Sequence, residues 1–341
     1  MARRSMGSRL GWALLKLLGL LLLAAAASVV AAWWWLERPL PLAAPSVELS
    51  IESGASARGV AQAWVDAGVL TSPLLLHAWF RWSGQARRIR AGSYEIDAST
   101  TPRGLLDKMV QGDEMLERVR FIEGWTLRQL RAALASAAHL KSTTTEMDDA
   151  QLMAALGAPG VAAEGRFFPD TYVYSRGVSD LTVLRRAHRA LEQRLAEAWA
   201  ERAADTPLKS PTQALILASI VEKETGLAAD RALVASVFVN RLRIGMPLQT
   251  DPTVIYGLGA SFDGNLRKRD LLADTPYNTY LRGGLPPTPI ALPGMASLRA
   301  AVRPQPSKAL YFVARGDGGS VFSQTLAEHN RAVNTFQRGK P

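Results

Sequence analysis

At 341 residues the chain is long enough for one large domain or two smaller ones beside any anchor, and its 48% apolar content excludes disorder as the dominant state. The absence of cysteine excludes disulfides, thiolate metal sites, a cysteine nucleophile and lipid attachment through cysteine. A formal net charge of +10 favours anionic partners or, more plainly, reflects free use of arginine on solvated faces.

The chain opens on MARRSMGSRL, and after Lys16 the run Leu17 to Leu36 carries no charge. About 20 such residues span a bilayer. A cleaved signal peptide ending near Ala25, Ala27 or Ala31 is the competing reading. The run is longer than the usual core of a signal peptide, and Trp33, Trp34 and Trp35 close it as an interfacial aromatic belt would, which favours a retained anchor. Arg3, Arg4, Arg9 and Lys16 precede the run and only Arg38 closely follows, so residues 1–16 are expected in the cytoplasm and everything beyond residue 36 outside it. Out there, wall polymer or lipid head groups are the expected anionic partners, and nucleic acid is not.

Residues 37–46, including RPLPLAAPS, read as a short extended linker. A strand-turn-helix grammar then recurs three times: Val47 to Ile51 with a cap near Ser56; a strand before a Thr101 cap, Pro102 and a closing Gly112; and a strand before a Thr126 to Gln129 capping box. The pattern predicts an α+β fold, with a small module over 47–112 and a main domain over 113–341. A long amphipathic helix is predicted from Ser179 to Ala203, broken by Pro207 and Pro211. The segment from Leu215 and a helix from Asp230 to Arg243, turning at Gly226, form a predicted αα-hairpin. A Gly- and Pro-rich stretch, Gly257 to Pro293, is long enough to suggest function. A strand from Leu310 and a short helix around His329 finish the chain.

Within LILASIVEKETG, Leu215 to Gly226, helical geometry of about 100° per residue puts Glu224 within about 60° of Leu217, Ile220 and Val221, and Glu222 on nearly the opposite side near Ala218 and Ser219. A carboxyl held against apolar neighbours resists ionisation and can donate a proton near neutrality, as a general acid for glycosidic cleavage must. The plain alternative is a helix-terminal glutamate paired with Lys223, Arg231 or Arg241.

ASIVEKET, VASVFVNRL, LQTDPTVIYG, PYNTY and GLPPTPIALPG, in that order behind an apolar anchor, resemble the endolytic murein transglycosylases of the MltG (YceG-like) family over roughly Phe121 to Phe336. The resemblance implies an enzyme that cuts peptidoglycan strands internally at the MurNAc-GlcNAc bond, leaving 1,6-anhydro-MurNAc ends and terminating nascent strands. It implies an inner-membrane, periplasm-facing location, work beside peptidoglycan synthases (penicillin-binding proteins), and a LysM-like module over 47–112. The family's catalytic glutamate maps onto Glu224, and Glu222 becomes a supporting residue.

Such a reaction needs one carboxylate where ordinary glycosidases need two, because the sugar supplies its own 6-hydroxyl; it needs no metal and no organic cofactor. Asp251 before Pro252 reads as an N-cap. By resemblance, Gln249, Thr250, Asp251 and Tyr256 are candidates to contact sugar, as are Tyr277, Asn278, Thr279 and Tyr280. Asn240 and Arg241 are candidates to orient Glu224 or bind anionic groups. Pro286 and its neighbouring prolines stiffen one wall of a cleft. In EGRFFPDTYVY, Phe167, Phe168 and Tyr172 pack the core or line the groove. The scattered His77, His139, His188 and His329 show no ligand spacing, and P-loop, dinucleotide and G-x-S-x-G signatures are lacking. A non-catalytic wall-binding adaptor, and a hydrolase using Glu224 with Asp251 or Glu222, are the rival readings.

Overall fold

The structure, a computed structural model, describes residues 5–339; Arg3 and Arg4, on which part of the orientation argument stands, lie outside them. The fold is mixed α and β, as expected, and divides into two compact units: residues 1–117 with 175–177, and residues 118–174 with 178–341.

The first unit begins with helix α1 (Ser5–Leu36). Its stretch Leu14–Leu36 is long and apolar enough to cross a membrane, and the most apolar part of it is not buried by protein. The polypeptide then forms β1 (Ser46–Ile51), α2 (Ala57–Asp66), α3 (Pro73–Trp82), β2 (Gly92–Asp97) and α4 (Pro102–Gln111). Strands β1 and β2 pair antiparallel, Val47 opposite Ile96 and Leu49 opposite Tyr94. Trp64, Leu76, Phe80, Tyr94 and Leu105 fill the core beneath them. Local chemistry sets the helix ends. Ser56 accepts from Gly59 N, Thr101 from Gly104 N, and Gly112 takes the left-handed φ of 75° that closes α4. Two features depart from the sequence reading. Helix α3 was not foreseen, and Leu40, inside the stretch read as a linker, is buried in this core.

The second unit contains β3 (Leu116–Arg120), α5 (Leu127–Ala135), α6 (Asp149–Ala155), β4 (Thr171–Ser175), α7 (Asp180–Ala200), α8 (Pro211–Glu224), α9 (Ala228–Arg243), α10 (Asp251–Leu258), α11 (Met295–Val302), β5 (Tyr311–Ala314), β6 (Ser320–Ser323) and α12 (Leu326–Val333). The Thr126–Gln129 capping box and the Ser179 cap form as expected. Strand β4 was not anticipated, nor was β6, which pairs with β5 with Phe322 opposite Phe312.

Helix α8 is the unit's central rod. Ala214 through Val221 are all buried, enclosed by α7, α9 and α11 residues such as Leu191, Phe238 and Leu298. Each large side chain among them contributes roughly 1.5–3 kcal/mol by leaving water. This revises the sequence argument: α8 is buried all round, so no single apolar stripe distinguishes Glu224 from Glu222. Past the end of α10, the stretch up to 293 has only short 3-10 turns at Gly259–Ser261 and Asp270–Leu272, yet Asn278, Thr279, Pro286 and Ile290 within it are buried. It is a packed loop, clamped against α8 where Ile290 N donates to the Ser219 hydroxyl at 3.0 Å.

Candidate active site

Helix α8 ends at Glu224 because Thr225 takes an extended conformation, φ −143° and ψ 129°. The two glutamates of the last turn diverge, as helical geometry requires. Glu222 Oε2 accepts from Gly294 N at 2.8 Å at the start of α11, and Arg231 approaches its other oxygen at 3.9 Å. Its side chain is 6% exposed. These contacts make Glu222 a strut between α8, α9 and α11.

Glu224 has different company. Its Oε1 accepts a short hydrogen bond from the Thr250 hydroxyl, no cation lies within ion-pair distance among the described residues, and Oε2 has no protein hydrogen bond. Burial raises its pKa to about 7, against the opposing pull of the Thr250 bond; the Asp251 charge pushes it further up and the Arg241 charge pulls it down. The residue as a whole is half-buried.

Thr250, expected beside the helix cap, is the N-cap itself, and Asp251, read as the cap, is the first residue of α10. The Thr250 hydroxyl does not close onto the helix amides because it is committed to Glu224. Gln249 just before it adopts φ 49°, a left-handed conformation that costs a non-glycine residue about 1 kcal/mol or more. Thr279 holds this turn: its carbonyl accepts from Gln249 N at 3.1 Å, and its hydroxyl accepts from Thr250 N at 3.1 Å and meets Thr253 at 2.8 Å. At this turn, Asp251 and Gln249 are exposed and the Tyr280 hydroxyl donates to Asp251 at 2.6 Å. Burial and the neighbouring Asp251 carboxylate push the Tyr280 pKa up, so it stays a neutral donor.

Arg241 is buried and faces carbonyls: its Nε donates to Leu310 O at 2.7 Å and Nη1 to Leu248 O at 2.7 Å and Pro247 O at 3.3 Å. It serves Glu224 through its field rather than by contact. The other sequence-named residues build the frame. Asn240 donates to the carbonyls of Ser307 and Ala309, and Asn278 to those of Leu271 and Ala273. The Tyr277 hydroxyl meets Thr288 at 2.8 Å while its ring packs edge-on against Tyr256, centroids 4.8 Å apart. Pro286 is buried. Phe167 and Tyr172 lie in the core around β4, and Phe168 is half-buried against the α8 core.

The family model of the YceG-like family matches residues 49–335. The chain belongs to the YceG-like family. An endolytic murein transglycosylase of Bacillus subtilis is 32% identical over 312 residues, 86% of either chain. An endolytic murein transglycosylase of Streptococcus pneumoniae is 26% identical across 87% of this chain, which spans 60% of that longer protein. A crystal structure of a yceG-like protein from Listeria monocytogenes superposes with a TM-score of 0.52 at 28% identity, covering 84% of this chain and 98% of that one.

One carboxyl in this YceG-like frame was not singled out from sequence. Glu164 is buried, accepts from Leu127 N at 2.9 Å, from Gly165 N at 3.1 Å and from the Tyr256 hydroxyl at 3.2 Å, and burial raises its pKa to about 7. Burial of Tyr256 and, after it, the Glu164 charge push the Tyr256 pKa up in turn. Glu164 lies in the EGRFFPDTY stretch, but its partners come 37 residues before and 92 after it, a separation that leaves no local periodic signal.

Proposed function

We propose that the chain is an endolytic peptidoglycan lytic transglycosylase in which Glu224 acts as both acid and base. Family membership and the names of its relatives support the activity; the carrying observation is the environment of Glu224, a half-buried carboxyl poised near neutrality with one oxygen engaged and one free. With Thr250 donating to Oε1, the carboxyl proton resides on Oε2. From there it passes to the oxygen joining MurNAc to GlcNAc, and the bond from the anomeric carbon to that oxygen breaks. The 6-hydroxyl of the MurNAc closes on the anomeric carbon and returns its proton to the carboxylate, so the products are a 1,6-anhydro-MurNAc end and a free GlcNAc hydroxyl, with no water consumed.

Gln249, Asp251 and Tyr280, near Glu224 and in part exposed, are the residues suited to hold sugar hydroxyls or N-acetyl groups. Thr250, Thr279 and Arg241 act as positioning residues. Helix α1 serves as a single-pass inner-membrane anchor with the enzyme in the periplasm, where cleavage terminates strands made by peptidoglycan synthases. The β1-α2-α3-β2 arrangement is compatible with a LysM-like glycan-binding module.

The test is digestion of purified murein sacculi by the full-length protein, with mass spectrometry of the released fragments. Anhydro ends formed by the parent and lost in Glu224→Gln are expected. Reducing ends, one water heavier, would assign a hydrolase instead, and undiminished digestion by Glu224→Gln would remove Glu224 from the chemistry.

A further inference from the structure

The first unit carries an apolar surface that its own fold leaves uncovered. Leu70, Leu74, Leu75 and Trp82, on α3 and the turn before it, are 58%, 67%, 50% and 81% exposed. On α3, Leu75 and Trp82 lie within about 20° of one another around the helix axis, with Leu74 about 80° round from Trp82, and Leu70 stands just before the helix. Arg81 on α3, and Arg87 and Arg88 in the short turn that follows it, are exposed and have no ion-pair partner among the described residues.

Both ends of this patch are fastened next to the end of α1. At one end, Leu70 N donates to Pro41 O at 2.8 Å, and Leu42 bridges Val69. At the other, Trp79 Nε1 donates to Pro102 O at 3.1 Å, and Arg103 beside that proline pairs with Glu37 at 2.9 Å. The connection is not slack. Leu36 is buried, Trp35 packs against the unit's core, and Glu37 and Arg38 continue the last turn of α1 by hydrogen bonding to Trp33 and Trp35. Pro41 lies five residues beyond Leu36, a contour of at most about 18 Å, and Trp33 and Trp34, exposed at the end of α1, sit where aromatic side chains mark the head-group level.

We infer that α3 lies on the outer surface of the same bilayer that α1 crosses, with Leu74, Leu75 and Trp82 at the boundary of the acyl chains and Arg81, Arg87 and Arg88 against anionic lipid phosphates. The short rigid connection holds this face beside the membrane, and the combination of leucine, tryptophan and unpaired arginine matches an interfacial helix. The contact would hold the first unit fixed on the membrane instead of leaving it to swing on a tether. It rests on the reading of α1 as an anchor and is independent of the enzyme assignment.

The native chain has no cysteine, so single labels are unambiguous. Spin labels are placed at Leu74→Cys and Trp82→Cys, at Leu21→Cys in α1 and at Gln62→Cys on the solvated face of α2, in full-length protein in vesicles of phosphatidylcholine with a minor fraction of phosphatidylglycerol. Collision with oxygen is compared with collision with a water-soluble nickel chelate. The oxygen-to-nickel ratio at positions 74 and 82 is expected several-fold above that at 62, approaching that at 21. Water-like ratios at 74 and 82 with a shielded 21 overturn the inference. Shielding that disappears when the protein is diluted in lipid also overturns it, since the face would then be covered by a second copy. A water-like 21 would remove the anchor, and this inference with it, while leaving the sacculus digestion untouched.

Discussion

The Thr250 hydroxyl donates to Glu224 Oε1 from the N-cap of α10, where it would otherwise serve the helix. A donor to a carboxylate stabilises the ionised form, so Thr250 restrains the rise that burial imposes on Glu224. In Thr250→Val the pKa of Glu224 should climb above about 7, moving the alkaline limb of the pH–activity profile upward. Loss of one oriented oxygen should lower kcat by about tenfold, the equivalent of one hydrogen bond. Sacculus solubilisation followed across pH checks both, and an unmoved limb would disconnect Thr250 from the acid.

Glu224→Gln should be more stable than the parent at alkaline pH. The parent carboxyl has a pKa of about 7 folded against 4.5 as the ordinary value. Below 4.5 both states are protonated and nothing is lost. Between 4.5 and 7 the unfolded chain ionises while the folded one resists, so stability declines with rising pH, and the loss is complete above 7. The glutamine variant avoids this, with an advantage of up to roughly 3 kcal/mol. Urea unfolding at acid and alkaline pH measures the difference, and an advantage that grows toward acid would contradict it.

Arg241→Lys and Arg241→Met separate structure from field. Lysine keeps the charge but cannot reach the carbonyls of Leu310, Leu248 and Pro247 together, so both variants should lose about 2–4 kcal/mol of stability. Only methionine removes the charge that lowers the Glu224 pKa, so only it should also shift the alkaline limb upward. Denaturant midpoints and pH profiles of the two variants provide the comparison.

Gly165→Ala should be poorly tolerated. Gly165 has φ 75°, and an added Cβ would lie 2.4 Å from Pro289 Cβ and 3.0 Å from the Ala291 carbonyl oxygen. Strain and overpacking together should cost about 2–4 kcal/mol. They should also loosen the loop that faces Tyr256 and Tyr277. A calorimetric Tm close to that of the parent would refute the fit.

Which residues share a helix face, where helices start and where the chain turns were legible from sequence, because these depend on neighbours a few positions away. The opposition of Glu222 and Glu224 follows from two residues of helical rotation, and the caps at Ser56, Thr101, Thr126 and Ser179 from side chains reaching their own backbone. The short strands β4 and β6 were not legible because their stability comes from packing and not from a local pattern, whereas α3 did carry a local start signal in Ser72 and Pro73. A long-range ordering also decided the roles. Asn240, Asn278 and Tyr277 carry sugar-binding chemistry on paper, yet their polar groups are spent on carbonyls and Thr288.

By itself the sequence determined the order of elements, the apolar first helix and the pair of glutamates pointing apart at the end of α8, since each is a matter of local geometry and composition. Only the tertiary structure decided how those glutamates differ. Arg231 and an α11 amide reach Glu222, while Glu224 is met by a lone hydroxyl from a turn 26 residues away. The ionisation of a carboxyl is set by the groups brought within a few ångströms of it, and those come from distant parts of the chain.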